Sequence, residues 1–516
     1  MATQTPDAHV PSSAAAGSGP AGHASDGGVR ARLTRAVDLL PFSFGGLLIC
    51  ALAVVSGVMV AANPAPRSSG PELWTFARLH HEMYEPIIRQ WNAGEADPSR
   101  HLTPLLLSMP ALERRMLSGF LSGMPTAELL EVERRVAARA FVGPVDSVGC
   151  VDLTERLLAD GLLDRINAPS FSPWSSRGRI FGIPHDVHPV MLGYRADIVE
   201  AAGIDVSKIH TWEDFAREMA PLMVDKDGDG KSDRWLINFW PSQSDLIEVL
   251  LLQAGGGYFD EAGVPTVNSE ANARVLATLV TWCVGEPYPK GKRIAGDAPD
   301  FSASGNALKL EGYVVSALMP DWMCNIWRNE SPQLAGKVKL MPLPAWPKPL
   351  PSQRRTSVWG GTMLGIARTA KDVDAMYEVA KRLYLSDDLA RTLYTVGDII
   401  TPVRDHWSDP IFDKPDPFFS GQPKGRMYID LAGDVPARSS SPYYILAQAR
   451  VQDALLSLKD HAERRLPVTV EDLLPEARQL LENAQRAVLV QMRRNTFVDL
   501  PAGLDAPTEP QRGAAQ

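Results

Sequence analysis

The feature that most constrains this chain is Leu39–Ala62, a run without a single charged side chain. A run of that length is long enough to cross a bilayer as a helix. Arg30, Arg32 and Arg35 stand on its N-terminal side, so the positive-inside rule puts that end in the cytoplasm and everything after Asn63 outside. The segment before the run is longer than an ordinary signal peptide, which favours an uncleaved signal-anchor over a cleaved leader. Leu47–Cys50, LLIC, approximates a lipoprotein box, but Ile49 is bulky where a small residue is needed. The sequence therefore divides into a disordered cytoplasmic tail (1–38), a transmembrane signal-anchor (39–62), a tether (63–70) and a large exported part. The tail at 496–516 is polar and expected to be flexible.

The chain is too long for one typical core and suggests about two or three folding units. The chain of 516 residues carries a net charge of −9. It has no Lys/Arg block interleaved with aromatics, which argues against a nucleic-acid partner. Its four cysteines, Cys50, Cys150, Cys283 and Cys324, form no CxxC or Cys/His spacing. Free thiols are expected, not a zinc site or a disulfide framework.

Glu72–Ala77, Leu102–Met109 and Ala127–Val132 read as strands alternating with helices at Arg78–Trp91 and Leu112–Leu121, the pattern of an α/β lobe. Ligands in such sheets collect beyond the strand C-termini, which directs attention to Trp74 and Glu131. Arg179–Tyr194, RIFGIPHDVHPVMLGY, holds two prolines that forbid an unbroken helix or a central strand. It reads as an extended connector displaying His185, Asp186 and His188. Thr211–Leu222 reads as a helix with a capping pair at Thr211 and Asp214.

Asp225–Asp233, DKDGDGKSD, spaces carboxylates as a calcium loop does. Asp225, Asp227, Asp229, Lys231 and Asp233 are the candidate ligands for a structural Ca2+. Position twelve of the loop is Leu236, so no bidentate Glu closes the cage, and a solvated Asp/Gly turn is the alternative.

Four segments in order resemble the extracellular solute-binding proteins of the large sugar-binding family, which feed ABC importers. They are the opening strand with Trp74; Arg179–Tyr194 continuing into AGIDVSKIHTWEDF at Ala202–Phe215; LEGYVVSALMPDW at Leu310–Trp322; and Val358–Leu385, where WGG opens a strand and LSDD closes a helix. The resemblance covers roughly Leu73–Val490. It implies an α/β, two-lobed periplasmic-binding-protein-like fold with a multi-strand hinge, preceded here by the N-terminal transmembrane helix. The first lobe is expected over 71–182 plus 313–361 and the second over 183–312 plus 362–495.

It also implies a monomeric, extracytoplasmic binder that closes on a carbohydrate and hands it to permease subunits, with no catalysis and no required cofactor. Saccharide clefts need flat aromatic faces and hydrogen-bonding side chains. Trp74, Trp240, Trp322 and Trp359 are the candidate platforms, and Glu131, Asp186, His188, Gln243, Asp321 and Gly360 the candidate polar or close-approach contacts. Trp212 is expected in the core, and His80 and His81 on a helix surface. An anchored ligand sensor with the same fold is the alternative; a glycan-acting enzyme lacks any supporting motif such as HExxH or GxSxG.

Overall fold

The computed structural model describes residues 44–62, 70–229, 232–285, 293–497 and 500. The 1–38 tail, residues 39–43 of the apolar run, 63–69 of the tether, Lys231 and 501–516 lie outside the described residues. Phe44–Ala62 forms one uncharged helix of 19 residues, about 28 Å long at 1.5 Å per residue. Among the described residues no helix is long and apolar enough to cross a membrane.

The chain from Ser68 onward forms a separate compact unit built on two five-stranded sheets. The strands are β1 (Glu72–Thr75), β2 (Thr103–Leu106), β3 (Leu129–Glu133), the short hairpin β4 (Ser175–Ser176) and β5 (Arg179–Ile180), β6 (Ile183–Pro184), β7 (Val190–Arg195), β8 (Trp235–Asn238), β9 (Ala295–Gly296), β10 (Val314–Pro320), β11 (Val338–Pro342) and β12 (Thr362–Ile366). The first sheet has the order β2-β1-β3-β12-β6 and the second β11-β7-β10-β8-β9.

In the first sheet β1 runs parallel to β2 and β3, while β12 returns antiparallel to β3. Successive side chains of a strand face opposite ways, and the cores follow that period. Leu73, Leu129 and Leu364 enter one core; Trp74, Leu130 and Met363 enter the other, against Leu112 and Met116 of the helix Met109–Ser122. In the second sheet β8, β9 and β10 are parallel, and β7 lies antiparallel between β10 and β11. The capping pair forms: the Thr211 hydroxyl accepts from the Asp214 N–H, and the Asp214 carboxylate accepts from the Thr211 N–H.

This topology corrects the expected lobe boundaries. β10 and β11, placed by the sequence reading in the first lobe with 313–361, belong to the second sheet because both register against β7. β12, assigned to the second lobe with 362–495, completes the first sheet through its pairing with β3, and β6 joins it there. The helices Val373–Leu385 and Asp387–Gly397 pack on the first-sheet core, while Tyr444–Glu463 and Val470–Arg494 pack on the second. Lobe membership is decided by strand pairing far away in sequence, which local pattern does not carry.

Arg179–Tyr194 does cross between lobes, since β6 ends it in the first sheet and β7 begins it in the second. Between them the chain runs against the return crossing at 357–362: the His185 N–H donates to the Thr362 carbonyl, the Trp359 N–H to that of His188, and the Val190 N–H to that of Ser357. All four cysteines are free.

Candidate functional site

The hinge holds a buried set of charges. His188 adopts a left-handed conformation, φ +56°, which turns its ring into the second crossing. Its Nδ1 lies 2.7 Å from Asp321 Oδ1 and its Nε2 3.0 Å from Asp186 Oδ2. Burial opposes charge on the imidazole, but Asp186 and Asp321 outweigh it and raise its pKa to about 10, so His188 is an imidazolium at neutral pH. Asp186 is correspondingly held well below the usual carboxylate range: burial pushes it up, and His188 and His185 pull it further down. Asp321 Oδ1 also accepts from the Trp322 N–H, and its Oδ2 from the Ile400 N–H at 2.7 Å.

These bonds locate Asp186, His188 and Asp321 within the hinge. Their polar atoms are engaged by one another and by the backbone, so they act as a tether between the crossings. Glu131 lies deeper in the first lobe and is fully buried. Its Oε2 accepts from the Tyr84 hydroxyl at 2.6 Å and the Tyr384 hydroxyl at 3.0 Å, with His80 Nδ1 3.3 Å from Oε1. Burial pushes the Glu131 carboxyl up, but His80, His185 and Tyr84 hold it below its ordinary value. His80, expected on a helix surface, is thus a buried partner of Glu131. Trp74 is buried too, its Nε1 donating to Glu72; it fills core and offers no platform, and Trp212 is in the core as expected.

Trp359, Gly360 and Gly361 explain the WGG string. Trp359 is buried and meets Trp322 edge to face at 5.7 Å. The Trp322 Nε1 donates to the Trp359 carbonyl at 2.8 Å. Gly360 and Gly361 have φ +109° and +125°, a region L side chains avoid. A Cβ on Gly360 would stand 2.7 Å from the His188 ring, and one on Gly361 2.6 Å from the Arg438 guanidinium. Glycine is required here because two side chains pack directly onto the backbone.

The side chains left with accessible faces lie elsewhere. Trp240, Phe301 and Trp322 each follow the C-terminal end of one of three parallel strands, β8, β9 and β10, where a sheet of this kind presents ligand. Trp240 and Trp322 are half-buried and Phe301 is exposed, and Phe301 lies parallel to Trp322 with ring centres 6.2 Å apart. Gln243, half-buried, follows Trp240 and donates its backbone N–H to the Trp240 carbonyl.

The corresponding end of the first sheet is Glu133, the last residue of β3, followed directly by Arg134. Arg134 crosses to Glu248 on the helix Ser244–Gln253 at 2.5 Å, and Arg135 pairs with Asp245 on the same helix. The segments that follow β3 in the first lobe and β8 in the second are therefore joined by ion pairs. Beside them lies a cavity of about 470 Å3 lined from the first lobe by Phe141, Ser172 and Arg177 and from the second by Phe259, Arg438 and Tyr443.

Sequence reasoning missed Phe301, Arg134 and Arg438. Phe301 was legible as an aromatic a few residues past a strand, had the two-residue β9 been recognised. Arg134 directly follows Glu133 at the close of the third strand, so the strand-end rule reaches it with one more step. Arg438 sits in PARSSSP, which carries no signal of its own.

A pair of sheets, each offering strand ends to a shared cleft and joined by repeated crossings, is the architecture of the extracellular solute-binding proteins. The sugar-binding protein MalE of Xanthomonas citri shares it with a TM-score of 0.63, at 15% identity, over 82% of this chain and 99% of that one. The cyclic alpha-maltosyl-1,6-maltose binding protein of Arthrobacter globiformis gives a TM-score of 0.59 at 17% identity, over 81% and 99%.

Three curated relatives are named as oligosaccharide- or lactose-binding proteins. The arabinooligosaccharide-binding protein of Halalkalibacterium halodurans is 23% identical over 79% of this chain and 88% of its own length. That of Bacillus subtilis is 24% identical over 68% and 78%, and a lactose-binding protein of Rhizobium radiobacter 24% over 54% and 64%. No protein-family model matches the chain. These relatives and structural neighbours are themselves named as binding proteins.

Proposed function

We propose that this protein is a membrane-anchored, extracytoplasmic carbohydrate-binding protein that captures an oligosaccharide by lobe closure and delivers it to an ABC importer permease. One observation carries the reading: Trp240, Phe301 and Trp322 follow three adjacent parallel strands on the cleft side of the second lobe. Aromatic rings so placed offer apolar faces to the C–H side of a sugar, leaving its hydroxyls for Gln243 and neighbouring polar groups. The relatives' ligands, arabinooligosaccharides and lactose, make short oligosaccharides the first to test. Anchoring rests on the uncharged Leu39–Ala62 run and the arginines before it. Ligand contacts available only between apposed lobes shift the population toward closure, the state a permease would read. In a thermal-shift screen of mono- and oligosaccharides against the full-length protein, at least one is expected to raise the melting temperature by several degrees at about 100 times its Kd. No shift across the panel would overturn the reading.

A structural Ca2+ at the acidic loop belongs to the same proposal. One carboxylate oxygen from each of Asp225, Asp227 and Asp229 lies within 4.8 Å of the others, a spacing that a cation with 2.3–2.6 Å bonds would accommodate. Asp233 accepts from the Lys226 N–H at 2.6 Å, which draws the two ends of the loop together. Calcium titration by calorimetry is expected to show binding heat that Asp227→Ala with Asp229→Ala abolishes; equal heats from wild type and variant would exclude the site.

A further inference from the structure

Arg438, on the wall of the interlobe cavity, carries a charge that no carboxylate touches directly. Arg438 is only 8% exposed, yet among the described residues no carboxylate oxygen lies within 4.0 Å of its guanidinium. Its Nη1 donates to the Gly360 carbonyl, and its Nη2 packs where Gly361 lacks a side chain. Its backbone N–H donates to Ser172 Oγ at 2.9 Å, across the lobe boundary.

The charges around it do not neutralise it. Arg134 repels it from the first lobe, while Glu248 and Asp186 attract it from a distance. Glu248 is already engaged by Arg134, the Tyr444 hydroxyl and Gln448, and Asp186 by His188 and His185. Burial, with Arg134 next, pulls the Arg438 guanidinium down to about 10. It remains charged at neutral pH, and a buried charge without a counter-ion in contact is costly. Two further donors nearby are buried without acceptors among the described residues: Nε of Arg134 and the hydroxyl of Tyr258, a tyrosine whose pKa burial and Glu248 raise. Among the described residues the carboxylates on the cavity wall itself are Asp260 and Glu261, exposed at its rim.

We propose that Arg438 is an anion receptor in this cavity and that the protein's ligand is an acidic saccharide, whose carboxylate or ester anion supplies the missing counter-charge. This deepens the carbohydrate-binding reading and rests on it. A guanidinium is suited to the role, since it stays ionised and presents a planar fork of donors to a planar anion. The serines at 439–441, which line the same wall, offer hydroxyls to the remaining oxygens.

The test is calorimetric titration of the full-length protein with uronate-bearing and sulfate-ester disaccharides, each against the neutral disaccharide of the same linkage. Wild type is expected to favour at least one acidic member by about tenfold or more, the scale of a hydrogen bond to a charged group. The preference should weaken as salt rises from 0.05 to 0.3 M, which screens the exposed part of the interaction. Arg438→Gln should bring acidic and neutral affinities together, and Arg438→Lys should retain part of the preference. Should the Gln variant fail to fold, the Lys variant and the salt series still decide. Neutral sugars binding at least as well as both acidic series would overturn the anion receptor while leaving carbohydrate binding intact. An acidic preference surviving in Arg438→Gln would remove Arg438 from the role. If no saccharide binds at all, both readings fall.

Discussion

Asp321→Ala is expected to cost about 3–5 kcal/mol of unfolding free energy, the scale of breaking one side of a buried ion pair. The loss has identifiable parts. The His188 imidazolium keeps only Asp186, and the N–H groups of Trp322 and Ile400 lose their acceptor. The pH dependence separates this mechanism from a generic packing defect. His188 has its pKa raised from 6.5 to about 10, so its stabilising contribution is fully present below about pH 6.5 and is lost as pH rises toward 10. Asp186 has its pKa lowered, so its contribution is present above about pH 4 and is lost as pH falls through the depressed value. The contribution of the Asp186–His188 pair should therefore be greatest between about pH 4 and 6.5. The deficit of Asp321→Ala should be greatest there and shrink by pH 10, where neutral His188 no longer needs the carboxylate. Urea unfolding across that range measures it; a deficit independent of pH would mean that the pair is not ionic.

Trp322→Ala is expected to weaken saccharide binding by roughly 2–4 kcal/mol, about 30- to 1000-fold, as central aromatic anchors do. Trp322 is the pivot between site and hinge. It packs against the hydrophobic clusters of both lobes, donates to the Trp359 carbonyl and stacks on Phe301. Its removal should lower stability as well, and for that reason Phe301→Ala is the discriminating companion. Phe301 is 58% exposed, so truncating it should reduce affinity by about 1 kcal/mol with almost no change in melting temperature.

The α/β class and the lobe crossing at Arg179–Tyr194 were legible because strand-like runs, prolines and caps act locally. Trp240, Gln243 and Trp322 were named as saccharide contacts through the family resemblance, and the fold sets Trp240 and Trp322 just past the ends of β8 and β10. The failures share a physical cause. Trp74 and Glu131 also stand near strand ends, but which face of a strand enters the core depends on helices packed from elsewhere: Leu112 and Met116 cover Trp74, and Tyr84 and Tyr384 close over Glu131. Asp186 and His188 were read in the crossing and Asp321 in the separate LEGYVVSALMPDW segment; that His188 and Asp321 pair was not legible, because the contact spans more than a hundred residues of sequence. The exchange of β10 and β11 with β12 between lobes has the same origin.

The measurement that bears most directly on the account is calorimetric titration of wild type and Trp322→Ala with a saccharide that raises the wild-type melting temperature. Wild type is expected to show one site per chain, and the variant a loss of affinity of at least about 30-fold. A saccharide that binds Trp322→Ala as tightly as wild type would contradict the placement of the site at the strand ends of the second lobe.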